Sequence, residues 1–379
     1  MFAKNILFLD LGGSSLKGLV MNEKKFKIIT KQTQECTGIM NGYIYDSALF
    51  QEAICKLIKK LEKHTNGQIS STILLVGGSV IKYKVLVSNL MEIKGIVDKE
   101  KILAIDFKIK KWIDSNNALL IRSTPIEYKL DGVSVENPIG LYADTLQFVY
   151  NIAYADMNQL GNQVYVLEKH GLNIIDIMPS IYCAATLHLN EDERELGALV
   201  FDIGAHNVNW AYYNHNKPIN SGVLNFNSET ITHKIARSLK ISIAQAKELK
   251  HNHAAAILTA DHFCTWAEFV KDGNTEFILE SEIVRKINPE INLLVSEIQK
   301  TIISYSNKAH IAVLCGHGAW LAKLSEAIGR NISTTIKLSP SASPEFDSVS
   351  GAIMLFQFDF KKKEKNILQR ASHWLKENL

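Results

Sequence analysis

The segment Asp10-Leu11-Gly12-Gly13-Ser14-Ser15-Leu16-Lys17 places a carboxylate, two glycines, two hydroxyls and an amine side by side. A glycine-rich turn between two apolar runs lets backbone N–H groups face phosphate oxygens; serine hydroxyls add donors, and Lys17 offsets negative charge. Asp10 at the strand end suits a water-bridged Mg²⁺, an ion that keeps much of its hydration shell. The same residues also describe a plain hairpin turn, because Gly-Gly-Ser-Ser is ordinary turn chemistry. A second turn of this kind, Asp202-Ile203-Gly204-Ala205-His206-Asn207, lies between the apolar runs Gly197 to Asp202 and Val208 to Tyr213. A third glycine loop, Gly316-His317-Gly318-Ala319, follows the apolar run His310 to Cys315. Together they supply two phosphate-facing loops and a third loop for a nucleoside. The candidate ligand-binding residues are Asp10, Gly12, Gly13, Ser14, Ser15, Lys17, Asp202, Gly204, His206, Gly316 and Gly318, with Asp10 also the candidate metal residue; no catalytic residue stands out.

The elements that must hold these turns are readable from periodicity. Asn5 to Leu11 and Leu16 to Met21 flank the first turn as a hairpin, and the second turn repeats the pattern, which implies a duplicated architecture. Ser47 to Lys63 has helical spacing, and Thr72 to Val76 reads as a strand ending at Gly77-Gly78, so a helix packs on an α/β sheet. Residues 81 to 162 read as a small inserted α+β subdomain of several short strands, with turns at Asp131-Gly132 and Asn137-Pro138. Asp156 caps a helix running into Lys169, Gly171 ends it, and Asn173 to Met178 is the next strand. Helices are expected at Ser228 to Leu239, Ile243 to His251, Glu280 to Ser304, Ala319 to Ile328 and Ser348 to Phe356.

Composition narrows the class. With 379 residues, 46% apolar, 21% charged and only 7 prolines, the chain is an ordinary packed protein of two or more subdomains. A net charge of +3 is too small for a nucleic-acid-binding surface spread over the whole chain. Five cysteines without a Cys-x-x-Cys pair read as reduced thiols, which points to the cytoplasm. Asp10 interrupts the N-terminal apolar run, so a signal peptide is not expected. No apolar run reaches the ~18 residues of a membrane span.

The basic charge is concentrated at one end: residues 361 to 379 hold six basic side chains against two acidic ones. At about 100° per residue, Ile367, Leu368, Ala371, Trp374, Leu375 and Leu379 share one face, opposite Gln369, Arg370, His373, Lys376 and Glu377. This is the composition of a helix lying in an anionic membrane interface. A helix docked on the protein's own core, or on a partner, has the same pattern.

The paired turns resemble those of the actin-like ATPase superfamily, a ribonuclease H-like duplicated α/β fold of two domains that clamps a nucleotide. Within it the chain is similar to the bacterial FtsA family of cell-division proteins. The resemblance rests on Gly38-Ile39-Met40-Asn41-Gly42-Tyr43-Ile44-Tyr45-Asp46, on Pro125, Tyr128, Asp131, Gly132, Asn137, Pro138 and Gly140, on the acidic turn Glu191 to Gly197, on Ile241 to Lys250, and on the tail. It implies actin-like subdomains at 1–80 with 342–360 and at 163–222 with 307–341, an insertion at 81–162, a further subdomain at 223–306, and a basic linker with an amphipathic helix at 361–379. It also implies binding of ATP with Mg²⁺, self-polymerisation, and a scaffold at the cytoplasmic face of the cell membrane at the division site. There the protein would tether FtsZ filaments by docking the FtsZ C-terminal tail near residues 223–306 and recruit other division proteins.

Departures weaken part of this. Where the family has a glycine-rich second loop ending in a carboxylate, this chain has Ala205, His206 and Asn209; His317 interrupts the third loop, and a glycine pair is replaced at Asn227-Ser228. Side chains there restrict how closely backbone amides approach phosphate, so weak nucleotide binding and slow or absent hydrolysis are expected. A sugar or acetate kinase of the same superfamily, or a scaffold of a pilus-assembly system, are the alternatives. The first lacks a recognisable catalytic carboxylate, and neither explains the tail.

Overall fold

The computed structural model describes residues 5–65, 69–226 and 228–358. Its two main sheets repeat one plan. In the first, Lys27–Glu35, Ser15–Asn22 and Asn5–Leu11 form an antiparallel meander, continued in parallel by Ile69–Val76 and Ile174–Pro179. In the second, Lys217–Asn225, Asn207–Asn214 and Ala198–Ile203 make the meander, and Ile311–Cys315 and Thr335–Leu338 the parallel pair. The registers match as well: Asp10 lies opposite Lys17, and Asp202 opposite Asn209, one position before each turn.

Asn5–Leu11 and Ala198–Ile203 are nearly unbroken apolar runs because both faces of each are covered. Between the sheets lies the helix Ser180–His188, whose first six residues are all buried. A helix apolar all round belongs in such an interior. The outer face of the first sheet is closed by a segment from far along the chain. Phe346, Val349, Ala352 and Ile353, in and just before a helix over 347–358, pack on Ile6, Phe8, Leu19 and Met21.

Residues 81–162 hold the short strands Ile81–Val87, Met91–Ile96 and Val133–Val135, as expected, and also two long ones, Ala118–Leu130 and Tyr142–Asp156, of 13 and 15 residues, which were not. Pro125 and the register shifts near it and near Ala153 break the alternation, which hides their length from a periodicity reading. The Asp131-Gly132 turn is as expected: both residues have positive φ, and the Asp131 carboxylate accepts from the Thr145 amide at 2.7 Å. A second Asp-Gly turn, Asp272-Gly273, joins Trp266–Lys271 to Asn274–Leu279 where the sequence reading placed no element.

Six expected helices are found, at Ser47–Glu62, Met157–Lys169, Ser228–Leu239, Ile243–His253, Glu280–Ser304 and over 347–358, with Asp156 capping the second. The helix expected over Ala319 to Ile328 is corrected. A short turn at His317–Trp320 ends, Lys323 takes a left-handed φ of 63°, and a new helix runs over Leu324–Gly329. A non-glycine residue in that region cannot continue a right-handed helix. The five cysteines are unpaired, and among the described residues no helix is long and apolar enough to cross a membrane. The tail residues Ile367, Leu368, Ala371, Trp374, Leu375 and Leu379 lie outside the described residues.

Candidate functional site

The two hairpin turns face each other across the junction of the lobes. Behind them sits a charged cluster. Lys17 Nζ lies 3.1 Å from Asp10 Oδ2, with these side chains only 18% and 15% exposed. Burial by itself would lower the Lys17 pKa, but Asp10, and beyond it Asp202 and Glu345, reverse this and raise it, so the amine stays charged. Glycine is favoured at 12 because a Cβ there would stand 2.7 Å from the Ser15 carbonyl oxygen, a backbone atom that no rotamer change can move. Asp202 is pushed up to about 6 by burial first and then by Asp10 and Asp347, against the pull of Lys17 and His188.

That shift makes a stability prediction. A carboxyl whose folded pKa exceeds its unfolded value binds its proton more tightly when folded, so its contribution is lost as pH rises from about 4 to about 6. Asp202→Asn is therefore expected to stabilise the protein at pH 7.5 by about 3 kcal/mol. Urea unfolding should show that gain shrinking to nothing near pH 4; an equal gain at both pH values contradicts it.

The second turn closes through a Gly204 N–H donated to the Asn207 carbonyl at 3.0 Å. Its Ala205 carbonyl accepts the first N–H of the helix Ser228–Leu239 at 2.6 Å. His206 reaches across to the first turn: a Cβ on Gly13 would stand 2.2 Å from His206 Nδ1 and 2.9 Å from its Cγ. That Nδ1 is buried without a hydrogen-bond partner among the described residues. Burial chiefly holds the imidazole below its usual pKa, with Lys247 adding and Glu229 opposing, so the ring is neutral at pH 7. A second tie lies beside it. Asn209 Oδ1 accepts the Gly78 N–H at 2.8 Å, and Gly78, at a φ of 64°, would carry a Cβ 2.3 Å from Asn207 Nδ2.

The third loop packs behind the second turn. Gly316, at a φ of 77°, leaves a Cβ 2.2 Å from Asp202 Oδ1, and Gly318 leaves one 2.6 Å from Ile203 Cγ2. His317 stacks on His251 with ring centroids 5.7 Å apart. Burial, then His251, lowers its pKa.

A cavity of about 860 Å³ opens between the lobes. Gly13, Ser14 and Tyr45 line one side, and His206, Arg237 and Lys247 the other. The structure thus brings Gly13, Ser14 and His206 to one cavity. It places Asp10, Lys17 and Asp202 in the charged cluster, Ser15 at the start of the strand Ser15–Asn22, and Gly316 and Gly318 against the second turn. Among the described residues no group of three or more His, Cys, Asp or Glu side chains is arranged to hold a metal ion; Asp10 faces the Lys17 amine. The cavity leaves room for a nucleoside-sized ligand, and the His206 ring fills the space between the two turns. The residues as placed do not fit a triphosphate there.

Sequence reasoning missed a buried polar chain beside Asp202. His188 Nδ1 lies 2.9 Å from Ser339 Oγ, and His188 Nε2 lies 2.9 Å from Asp347 Oδ2, off the line a hydrogen bond needs. Ser341 Oγ donates to Asp347 Oδ1 at 2.5 Å, and Ser348 Oγ to Asp202 Oδ2 at 3.5 Å. The chain joins the helix Ser180–His188, the loop after Thr335–Leu338 and the helix over 347–358. Its only sequence signal is the serine-rich stretch Ser339 to Ser343.

Two sheets of one topology, each ending a hairpin at the same junction, define an actin-like protein. The likeness extends to solved structures: a PilM-PilN type IV pilus biogenesis complex (TM-score 0.65, 16% identity, 92% of this chain and 97% of that one). Another is MreB5 of Spiroplasma citri bound to AMPPNP (TM-score 0.57, 12% identity, 97% and 99%). Identities this low establish the fold alone. Residues 199–349 match the family model described as cell division protein FtsA. The cell division protein FtsA of Buchnera aphidicola subsp. Schizaphis graminum is 22% identical over 98% of both chains. Over residues 199–349, and end to end with that relative at low identity, the chain is similar to the FtsA family.

Proposed function

We propose that the protein is an FtsA-like cell-division scaffold. The observation that carries this reading is the match of residues 199–349 to the FtsA family model, on an actin-like fold whose relatives align end to end. On this reading residues 1–80 with 342–360, and 163–222 with 307–341, are the two actin-like subdomains. Residues 81–162 are the insertion, and 223–306 receive the FtsZ C-terminal tail. The basic tail and its face of Ile367, Leu368, Ala371, Trp374, Leu375 and Leu379 bind anionic lipid at the cytoplasmic side of the membrane. Each basic residue near such a surface contributes about 1 kcal/mol, so one tail binds weakly. Self-assembly, which presents many tails at once, strengthens attachment by avidity. Nucleotide binds weakly in the interlobe cavity; ATP with Mg²⁺, the pair the resemblance implies, is disfavoured there by the His206 ring, and hydrolysis is slow or absent.

A fluorescent fusion of the full chain should form a midcell band in dividing cells, and deletion of 361–379 should make the signal diffuse. A diffuse signal from the full chain would overturn the proposal.

A further inference from the structure

We infer that His206, with Asn209, takes the place of a nucleotide's terminal phosphates as the tie between the two lobes, so that the cavity discriminates against triphosphates. This rests on the reading of the cavity as a nucleotide site and names its ligand preference.

Three features converge on it. The His206 ring lies on Gly13, at the one position of the first turn where a side chain from the second turn touches glycine backbone. A phosphate cradle needs backbone N–H groups facing open space; here that space holds an imidazole. The ring is neutral and half-buried, so it brings no charge to an anion, and its Nδ1 makes no hydrogen bond among the described residues that would explain its position. The second tie is independent of the first. Asn209 Oδ1 accepts from the Gly78 amide, and Gly78 sits at a left-handed φ of 64° that favours glycine. Both ties run from the second hairpin to the first lobe, and both come from positions where the chain departs from the glycine-rich, carboxylate-ended loop. The donor that opens the helix Ser228–Leu239 is also engaged, by the Ala205 carbonyl. The changes that spoil a phosphate loop therefore build contacts that hold the lobes together without one.

The test uses the full chain and its variants His206→Gly, His206→Ala and Asn209→Ala, each checked for native circular dichroism and thermal midpoint. Calorimetry with Mg-ATP and with AMP should give the native chain similar, weak affinities for the two. His206→Gly should bind Mg-ATP at least about tenfold more tightly, with AMP changed by less than about threefold. If His206→Gly fails to fold, His206→Ala carries the same expectation. Native protein that already prefers Mg-ATP about tenfold over AMP, or folded His206 variants without a gain, would overturn the inference. The tie is read separately by hydrogen exchange. In Asn209→Ala the Gly78 amide should exchange at least about tenfold faster, and in native protein its protection should be the same with and without Mg-ATP. Unchanged exchange in the variant, or protection that appears only with nucleotide, overturns it too. If no variant binds either ligand, the nucleotide reading fails, and the exchange result alone decides whether the lobes are tied as inferred.

Discussion

Gly351→Ala is expected to cost the protein about 3 kcal/mol or more, and Gly351→Val to leave it unfolded at room temperature. A Cβ on Gly351 would stand 1.8 Å from the Cys183 carbonyl oxygen and 2.6 Å from its carbon. The obstacle is backbone of the buried helix Ser180–His188, so no change of rotamer relieves it. The helix over 347–358 would have to lift, taking Val349, Ala352 and Ile353 off the first sheet. Urea unfolding measures the loss. Gly161→Ala is the control: nothing lies within 4 Å of its Cβ position in the helix Met157–Lys169, and alanine there should stabilise by up to about 1 kcal/mol. A Gly351→Ala protein as stable as the native one would contradict the packing described.

Asp347→Ala is expected to cost about 1–3 kcal/mol, the range for stranding buried polar groups by removing one partner. Asp347 and His188 are 4% and 5% exposed at the side chain, and each holds a serine hydroxyl as well. Deleting one leaves the other desolvated against groups that cannot satisfy it. Asp347→Asn, which keeps an acceptor for Ser341, should lose less. A cycle with His188→Ala should be strongly non-additive, because the second deletion removes a group already stranded by the first. Losses that simply add would show that the two side chains do not act as a pair.

What the chain discloses in advance, and what it does not, follows from the range of the interactions. The two hairpins, their Asp-x-Gly turns and the long helix Glu280–Ser304 are set by neighbours in sequence, so their spacing announces them, and the duplicated plan follows. The break at Lys323 is a backbone conformation that no periodicity shows. The candidate site divides in the same way. Asp10, Gly12 and Lys17 are close in sequence, and their cluster is legible from one turn. The partner of Gly13 is His206, and that of Gly78 is Asn209, and nothing local links either pair. The glycines at 316 and 318 look like a ligand loop, yet the atoms that forbid a Cβ there belong to Asp202 and Ile203. The His188–Asp347 contact joins residues from opposite ends of the second half, and serine-rich composition alone reads as loop.

The helix over 347–358 covers Ile6, Phe8, Leu19 and Met21. Synthesis proceeds from the N-terminus, so the first strands emerge long before their cover exists. Until residues 346–353 have been translated, the nascent protein carries an exposed apolar sheet face of the kind that invites misassociation. Arrival of residues 346–353, rather than folding of the first strands, is what closes that face.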